Sequence, residues 1–233
     1  NVISIEIAFL LNCHICIIYN NTNDTSCQQT DSLDTEKTIV YNISIADSAK
    51  EESGRKQINR GSGKERSMRK VIIIGSPGAG KSTFARKLRE KTGLPLYYLD
   101  LIWHRPDQTN ISREEFDTRL KEIMAEDRWI IDGNYLRTLE MRIQACDTIF
   151  LLDYPADVCL QGAEERIGTK REDLPWVEQE FDGEFRQWIL DFPKDQLPCI
   201  YELLEQYRSG RELHIFRCRE EADIYISGKP EGT

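Results

Sequence analysis

Gly75, Gly80, Lys81 and Ser82 stand in the pattern G-x4-G-K-S, inside the stretch GSPGAGKST that runs from Gly75 to Thr83. Residues of these types at this spacing can hold phosphate. The glycines let the backbone curl so that several N–H groups point inward, and a helix starting near Lys81 adds the positive end of its dipole. Lys81 is placed to bridge β- and γ-phosphates, Ser82 to ligate Mg²⁺, and Thr83 to help hold the α- and β-phosphates. Ser76, Pro77, Gly78 and Ala79 complete the phosphate-binding loop. The bland alternative is a Gly-rich turn between a strand and a helix.

Other residues could work beside that loop. Asp132 closes the segment WIID and precedes Gly133. A carboxylate at the end of a parallel strand lies on the ligand side of an open sheet, where it can orient Mg²⁺ directly or through water. The alternative for Asp132 is an ordinary Asp-Gly turn. Asp100 closes LPLYYLD and is expected at the same sheet edge, where it would accept a proton from an attacking hydroxyl or position it. Trp103 suits packing or stacking on a base or sugar, and His104 reads as a surface residue. Asp153, before Tyr154-Pro155, reads first as a strand-end turn residue. Arg137 and Arg142 follow Asp132, while Arg166, Lys170 and Arg171 cluster in RIGTKRED. Transfer of a phosphoryl group is mostly positioning and charge neutralisation, so mobile Arg and Lys residues are what such chemistry needs. Gly168 and Thr169 suit a short flexible lid between them. The alternative is a solvated, charged helix end.

These side chains need a scaffold. Apolar runs at 69–75, 94–100, 128–132, 147–153 and 212–216 read as strands. Helical patterns fill 81–92, 112–126, 136–145, 155–167, 175–208 and 219–226. Ser112-Arg113-Glu114-Glu115 is a capping box, and Gly93 suits a helix end. Strands alternating with helices give an α/β domain with a parallel sheet covered on both faces. The aromatic-rich stretch WVEQEFDGEFRQWIL reads as core.

The character of the chain changes at Met68. Residues 1–67 open on a stretch too interrupted by polar residues for a membrane span and without signal-peptide features. The stretch then turns polar and reads as disordered or poorly packed. The purine-rich coding potential of GSGKERS before Met68 suggests translated upstream sequence, with Met68 as the natural start. A genuine extension or an appended leader is the alternative. The expected domain is 68–233. Its Cys residues have no metal-ligand spacing and read as free thiols of a cytoplasmic protein, and Cys13-His14-Ile15-Cys16 is a lone pair. The chain of 233 residues carries 31 Lys and Arg against 40 Asp and Glu, a net charge of −9. That balance disfavours a general nucleic-acid binder, although a local basic patch stays open.

Taken together, these residues resemble the adenylate-kinase-like group of P-loop kinases. GSPGAGKST carries the resemblance at the loop, DGNYLRT is similar to that group's Asp-Gly…Arg-Thr segment, and ERIGTKR is similar to its lid. GSPGAGKSTFARKL, LPLYYLDLIWHRP, EDRWIIDGNY and DTIFLLDYP look closer still to bacterial adenylate-kinase-related proteins labelled DNA topology modulation proteins. The resemblance spans about 68–226. It implies a three-layer P-loop NTPase fold with a five-stranded sheet of order 2-3-1-4-5, a short helical lid carrying Arg166 and Arg171, and Mg-ATP as donor. The implied activity is phosphotransfer from ATP to a nucleotide or another small molecule. The alternative is a P-loop NTPase or regulator acting on a protein or DNA partner. Several features depart from adenylate kinase proper, the acceptor loop 101–111 among them. The Phe-Pro pair after Asp132-Gly133 is missing, Arg137 falls one residue late, and the lid is too short for a subdomain.

Overall fold

The computed structural model describes residues 68–228. The readings for residues 1–67, Cys13 and Cys16 included, lie outside the described residues. The strands are β1 (Lys70–Gly75), β2 (Leu96–Tyr98), β3 (Trp129–Asp132), β4 (Thr148–Leu152) and β5 (Glu212–Phe216). They pair in parallel in the order β2-β3-β1-β4-β5. β1, β3 and β4 are built mostly from Ile, Val, Leu and Phe because both of their faces are buried. Ile72 and Ile74 point into one core with Ile131 and Leu151, and Val71 and Ile73 point into the other with Ile130 and Phe150. Helices cover both faces, which gives the three-layer P-loop NTPase fold expected from the sequence.

The helices are α1 (Lys81–Thr92), α2 (Leu99–Trp103), α3 (Arg113–Ala125), α4 (Leu139–Ala145), α5 (Ala156–Glu164), α6 (Gly183–Asp195), α7 (Leu197–Tyr207) and α8 (Arg219–Ser227). α1 lays Phe84, Ala85 and Leu88 on the sheet and ends at Gly93, whose φ of 66° is the left-handed conformation of a helix stop. Ser112 caps α3 by accepting a hydrogen bond from the Glu115 amide at 3.1 Å. Among the described residues no helix is long and apolar enough to cross a membrane.

Three elements differ from expectation. The second strand stops at Tyr98, and Asp100 lies in the first turn of α2 instead of at a strand end. β3 ends at Asp132, opposite Tyr98, so no ladder partner remains beyond that register, and the chain coils with Leu99 buried. The single long helix expected at 175–208 is two helices. Pro198 disfavours helical geometry at the residue before it and is tolerated only within the first turn of α7. Residues 165–182, which take in the short helical lid expected at 165–171 and the start of the helix expected at 175–208, carry no helix. Helix begins only where the Asp182 carboxylate accepts from the amides of Glu184 and Phe185.

Candidate functional site

The phosphate-binding loop connects β1 to α1. Gly75 has φ 139°, and a Cβ there would lie 2.3 Å from the Leu152 carbonyl oxygen. Gly78 has φ 78°, and its Cβ would lie 1.9 Å from the Cys159 carbonyl oxygen. The loop is therefore pressed against β4 and α5 by backbone alone, at positions open only to glycine. The first turn of α1 has no side-chain cap and no acidic residue. Its positive end is left for an anion.

A cleft of about 670 Å³ opens above the loop. Gly78, Ala79, Gly80, Lys81, Ser82 and Thr83 line one wall. Gly75, Ser76 and Pro77 are buried beneath it. The lid segment supplies Arg166, Lys170 and Arg171, and α8 supplies Arg219. The Lys81 ammonium donates to the Ser76 carbonyl at 3.0 Å. Burial lowers its pKa, against the opposing pull of Asp132 and Asp100. Both carboxylates named from the sequence thus bear on the loop lysine, although one ends β3 and the other sits in α2.

Asp132 is buried, and its Oδ1 accepts no hydrogen bond. Burial raises its pKa to about 7; Lys81 and Ser82 oppose the rise, while Asp100 and Asp173 add to it. A buried carboxylate oxygen without a donor, beside the loop that carries the Ser82 hydroxyl, is an oxygen set that suits a hard cation.

The lid meets the loop through a residue that the sequence reading passed over. Ser82 donates its hydroxyl proton to Asp173 Oδ2 at 2.7 Å. Arg171 grips the same carboxylate with two hydrogen bonds, of 3.0 and 2.7 Å, and reaches Glu178 at 2.6 Å. Burial would raise the Asp173 pKa, but the Arg171 hydrogen bond and charge, with the Ser82 hydroxyl, outweigh it and hold the group at about 2. Arg166 shares Glu178 at 3.2 Å and places its guanidinium 5.3 Å from the Phe185 ring centre. The two lid arginines are therefore in the cleft but held by lid carboxylates. The signal for Asp173 was its place two residues after Arg171, where it can fold back on that guanidinium.

The other arginines part company. Arg142 is fully buried, donating to the carbonyls of Gly133, Asn134 and Tyr135 at 2.8, 3.1 and 2.9 Å. It is a fixed brace for the loop after Asp132, which corrects its reading as a mobile cation. Arg137 lies away from the cleft, in a bidentate pair with Asp117 of α3 at 2.8 and 2.5 Å. Asp100 accepts from the Tyr135 hydroxyl at 2.9 Å. Tyr135 stacks on Phe116, with ring centres 5.2 Å apart, and Trp103 meets Phe116 edge-on. Trp103 is thus packing. His104 is buried, not a surface residue: its Nδ1 lies 2.7 Å from Asn110 Oδ1, and Trp176 of the lid packs against its ring. Asp153 accepts from the Tyr201 hydroxyl at 2.6 Å and pairs with Arg217, so it ties β4 to α7.

No family model matches the chain. Two curated relatives are adenylate kinases of Thermotoga neapolitana and Thermotoga maritima, each 32% identical over 91 residues, which is 38% of this chain and 40% of the relative. The chain thus spans about two fifths of the length of the curated relatives it matches. Among solved structures, the shikimate kinase of Acinetobacter baumannii in complex with shikimate is 18% identical over 71% of this chain and 97% of that one, with a TM-score of 0.46. The deoxyadenosine kinase of M. mycoides with bound dCTP is 12% identical over 68% of this chain and 96% of that one, with a TM-score of 0.38.

Proposed function

We propose that the chain is an ATP-dependent phosphotransferase that passes the γ-phosphoryl group of ATP to a small molecule, a nucleotide among the candidates. The observation that carries this reading is the glycine-built loop whose Lys81 and Ser82 line, together with Arg166 and Arg171, a cleft of about 670 Å³. The loop amides and the α1 dipole hold the donor phosphates. Lys81 spans the β- and γ-phosphates, and Thr83 supports the α- and β-phosphates. Ser82 and Asp132 fit Mg²⁺, which when bound neutralises the phosphate oxygens and helps orient them. Asp100 receives the proton of the attacking hydroxyl. Arg166 and Arg171, once released from Glu178 and Asp173, stabilise charge on the transferring group. Arg137 organises the acceptor side.

Identity to adenylate kinases over part of the chain supports a nucleotide-handling relative. The labelled resemblance to DNA topology modulation proteins adds no residue that would contact DNA. γ-Labelled Mg-ATP offered with nucleosides, nucleoside monophosphates and small alcohols tests the reading, with Lys81→Ala as control. Transfer of label to one acceptor supports it. Release of inorganic phosphate alone, stimulated by a protein or DNA, supports instead an NTPase that serves such a partner.

A further inference from the structure

The cleft that gathers cations for phosphate also holds a carboxylate of the chain's own. Asp173 is buried and lines the cleft with Lys81, Ser82, Arg166 and Arg171. Its Oδ1 accepts from Arg171 Nε at 3.0 Å, and its Oδ2 accepts from the same guanidinium at 2.7 Å and from the Ser82 hydroxyl at 2.7 Å. An arginine fork takes two oxygens of a phosphate as readily as two of a carboxylate. Around this contact the lid is held to itself. Glu178 takes Arg171 at 2.6 Å and Arg166 at 3.2 Å, and its carbonyl accepts from the Gly168 amide at 2.7 Å. Three residues beyond Asp173, Trp176 packs edge-on against His104, the residue that follows α2.

We propose that Asp173 is an internal competitor of the γ-phosphoryl group: it holds Arg171 back until a nucleoside triphosphate draws the guanidinium away, and a diphosphate seated on the loop leaves this latch shut. This rests on the phosphotransferase reading above, which gives Arg171 to the transferring group. The Ser82 oxygen can turn a lone pair to a cation while its proton stays on Asp173, so the contact that must break is the one with Arg171. The α- and β-phosphates fall to the loop amides and Thr83, which are not the groups that Asp173 holds. A ligand moves the lid only through contacts that differ between its two positions, and the γ-phosphoryl group supplies that difference. Once Arg171 leaves Asp173, the segment that carries Trp176 is freed and its contact with His104 loosens. Filling the donor site is thereby felt at α2, where Asp100 sits.

The full chain and its Asp173→Asn variant are titrated by calorimetry with two ligands, a magnesium-bound non-hydrolysable ATP analogue and Mg-ADP. The variant is expected to bind the analogue about tenfold tighter and Mg-ADP within about twofold of the wild type. Tryptophan emission adds a readout that needs no change at Asp173. In the wild type it should shift with the analogue and stay put with Mg-ADP, and Trp176→Phe should lose the shift. Equal tightening for both ligands makes Asp173 a general repulsion of phosphate and overturns the latch. Analogue binding that Asp173→Asn leaves unchanged or weakens overturns it as well, as does an emission that ignores the analogue or answers both ligands alike. Each of these results leaves the phosphotransferase reading intact. If neither ligand binds the wild type or the variant, the phosphotransferase reading falls, and this inference with it.

Discussion

The proposed donor and acceptor halves of the site are put together differently. The donor half is one stretch of chain, Gly75–Thr83, bent by glycines between a buried strand and an uncapped helix. The acceptor half draws Asp100 from α2, Phe116 and Asp117 from α3, and Tyr135 and Arg137 from the turn after β3. A contiguous loop needs little beyond its own glycines and a strand to start from. A distributed arrangement needs the whole tertiary packing to bring its residues together. Loop substitutions should therefore remove the reaction, and acceptor-half substitutions should alter it selectively.

The strongest test of that contrast is Lys81→Ala. Loss of the cation that spans the phosphates should lower label transfer about 10³-fold, the upper range for one electrostatic contact. Asp100→Asn comes next. Transfer should fall about 10²-fold, the lower range for general base catalysis, while ATP affinity measured by calorimetry stays within about twofold. If ATP affinity falls together with transfer, Asp100 belongs to the donor half and the division is misplaced.

Much of the donor half was legible before any coordinates. The G-x4-G-K-S spacing, the apolar run of β1 and the alternation of strands and helices are local signals. The place of Asp132 at the end of β3 is legible because the apolar run WII stops there. The acceptor half was less legible. Nothing in the neighbourhood of Arg137 names Asp117, which lies in another helix. Arg142 has the same residue type and nearly the same place in sequence, yet it is sealed in the core by three carbonyls. Whether an arginine is mobile depends on burial and partners, and sequence spacing carries neither.

The lid gives an intermediate effect, because Asp173 links the halves. Its carboxylate holds the Ser82 hydroxyl and the Arg171 guanidinium, two groups that the proposed function assigns to the Mg-ATP complex. In the same lid, Trp176 packs on His104 of the acceptor half. Asp173→Asn removes the charge that ATP must displace. Hydrogen bonds to charged groups contribute about 1.5–3 kcal/mol, so Mg-ATP binding should tighten roughly tenfold. Titration calorimetry with a non-hydrolysable ATP analogue measures this. Weaker binding would mean that Asp173 helps hold the nucleotide and does not compete with it.

Asp132 should give the smallest effect, and its sign can be worked out. Its pKa stands at about 7 in the folded chain against an ordinary 3.8, chiefly because of burial. The folded state therefore binds more protons at this group than the unfolded state does. Its contribution to stability is fully present below 3.8 and is lost as the pH rises through about 7. Ligand-free protein should become less stable across that interval, since ionised Asp132 is buried with an oxygen that lacks a donor. Asp132→Asn should flatten that part of the slope and raise the Tm at pH 8 by roughly 3 °C or more. Scanning calorimetry at pH 5 and pH 8 in the absence of nucleotide checks this. If the variant melts lower at pH 8, the Lys81 ammonium already compensates the charge, and the donor half is finished before any ligand arrives.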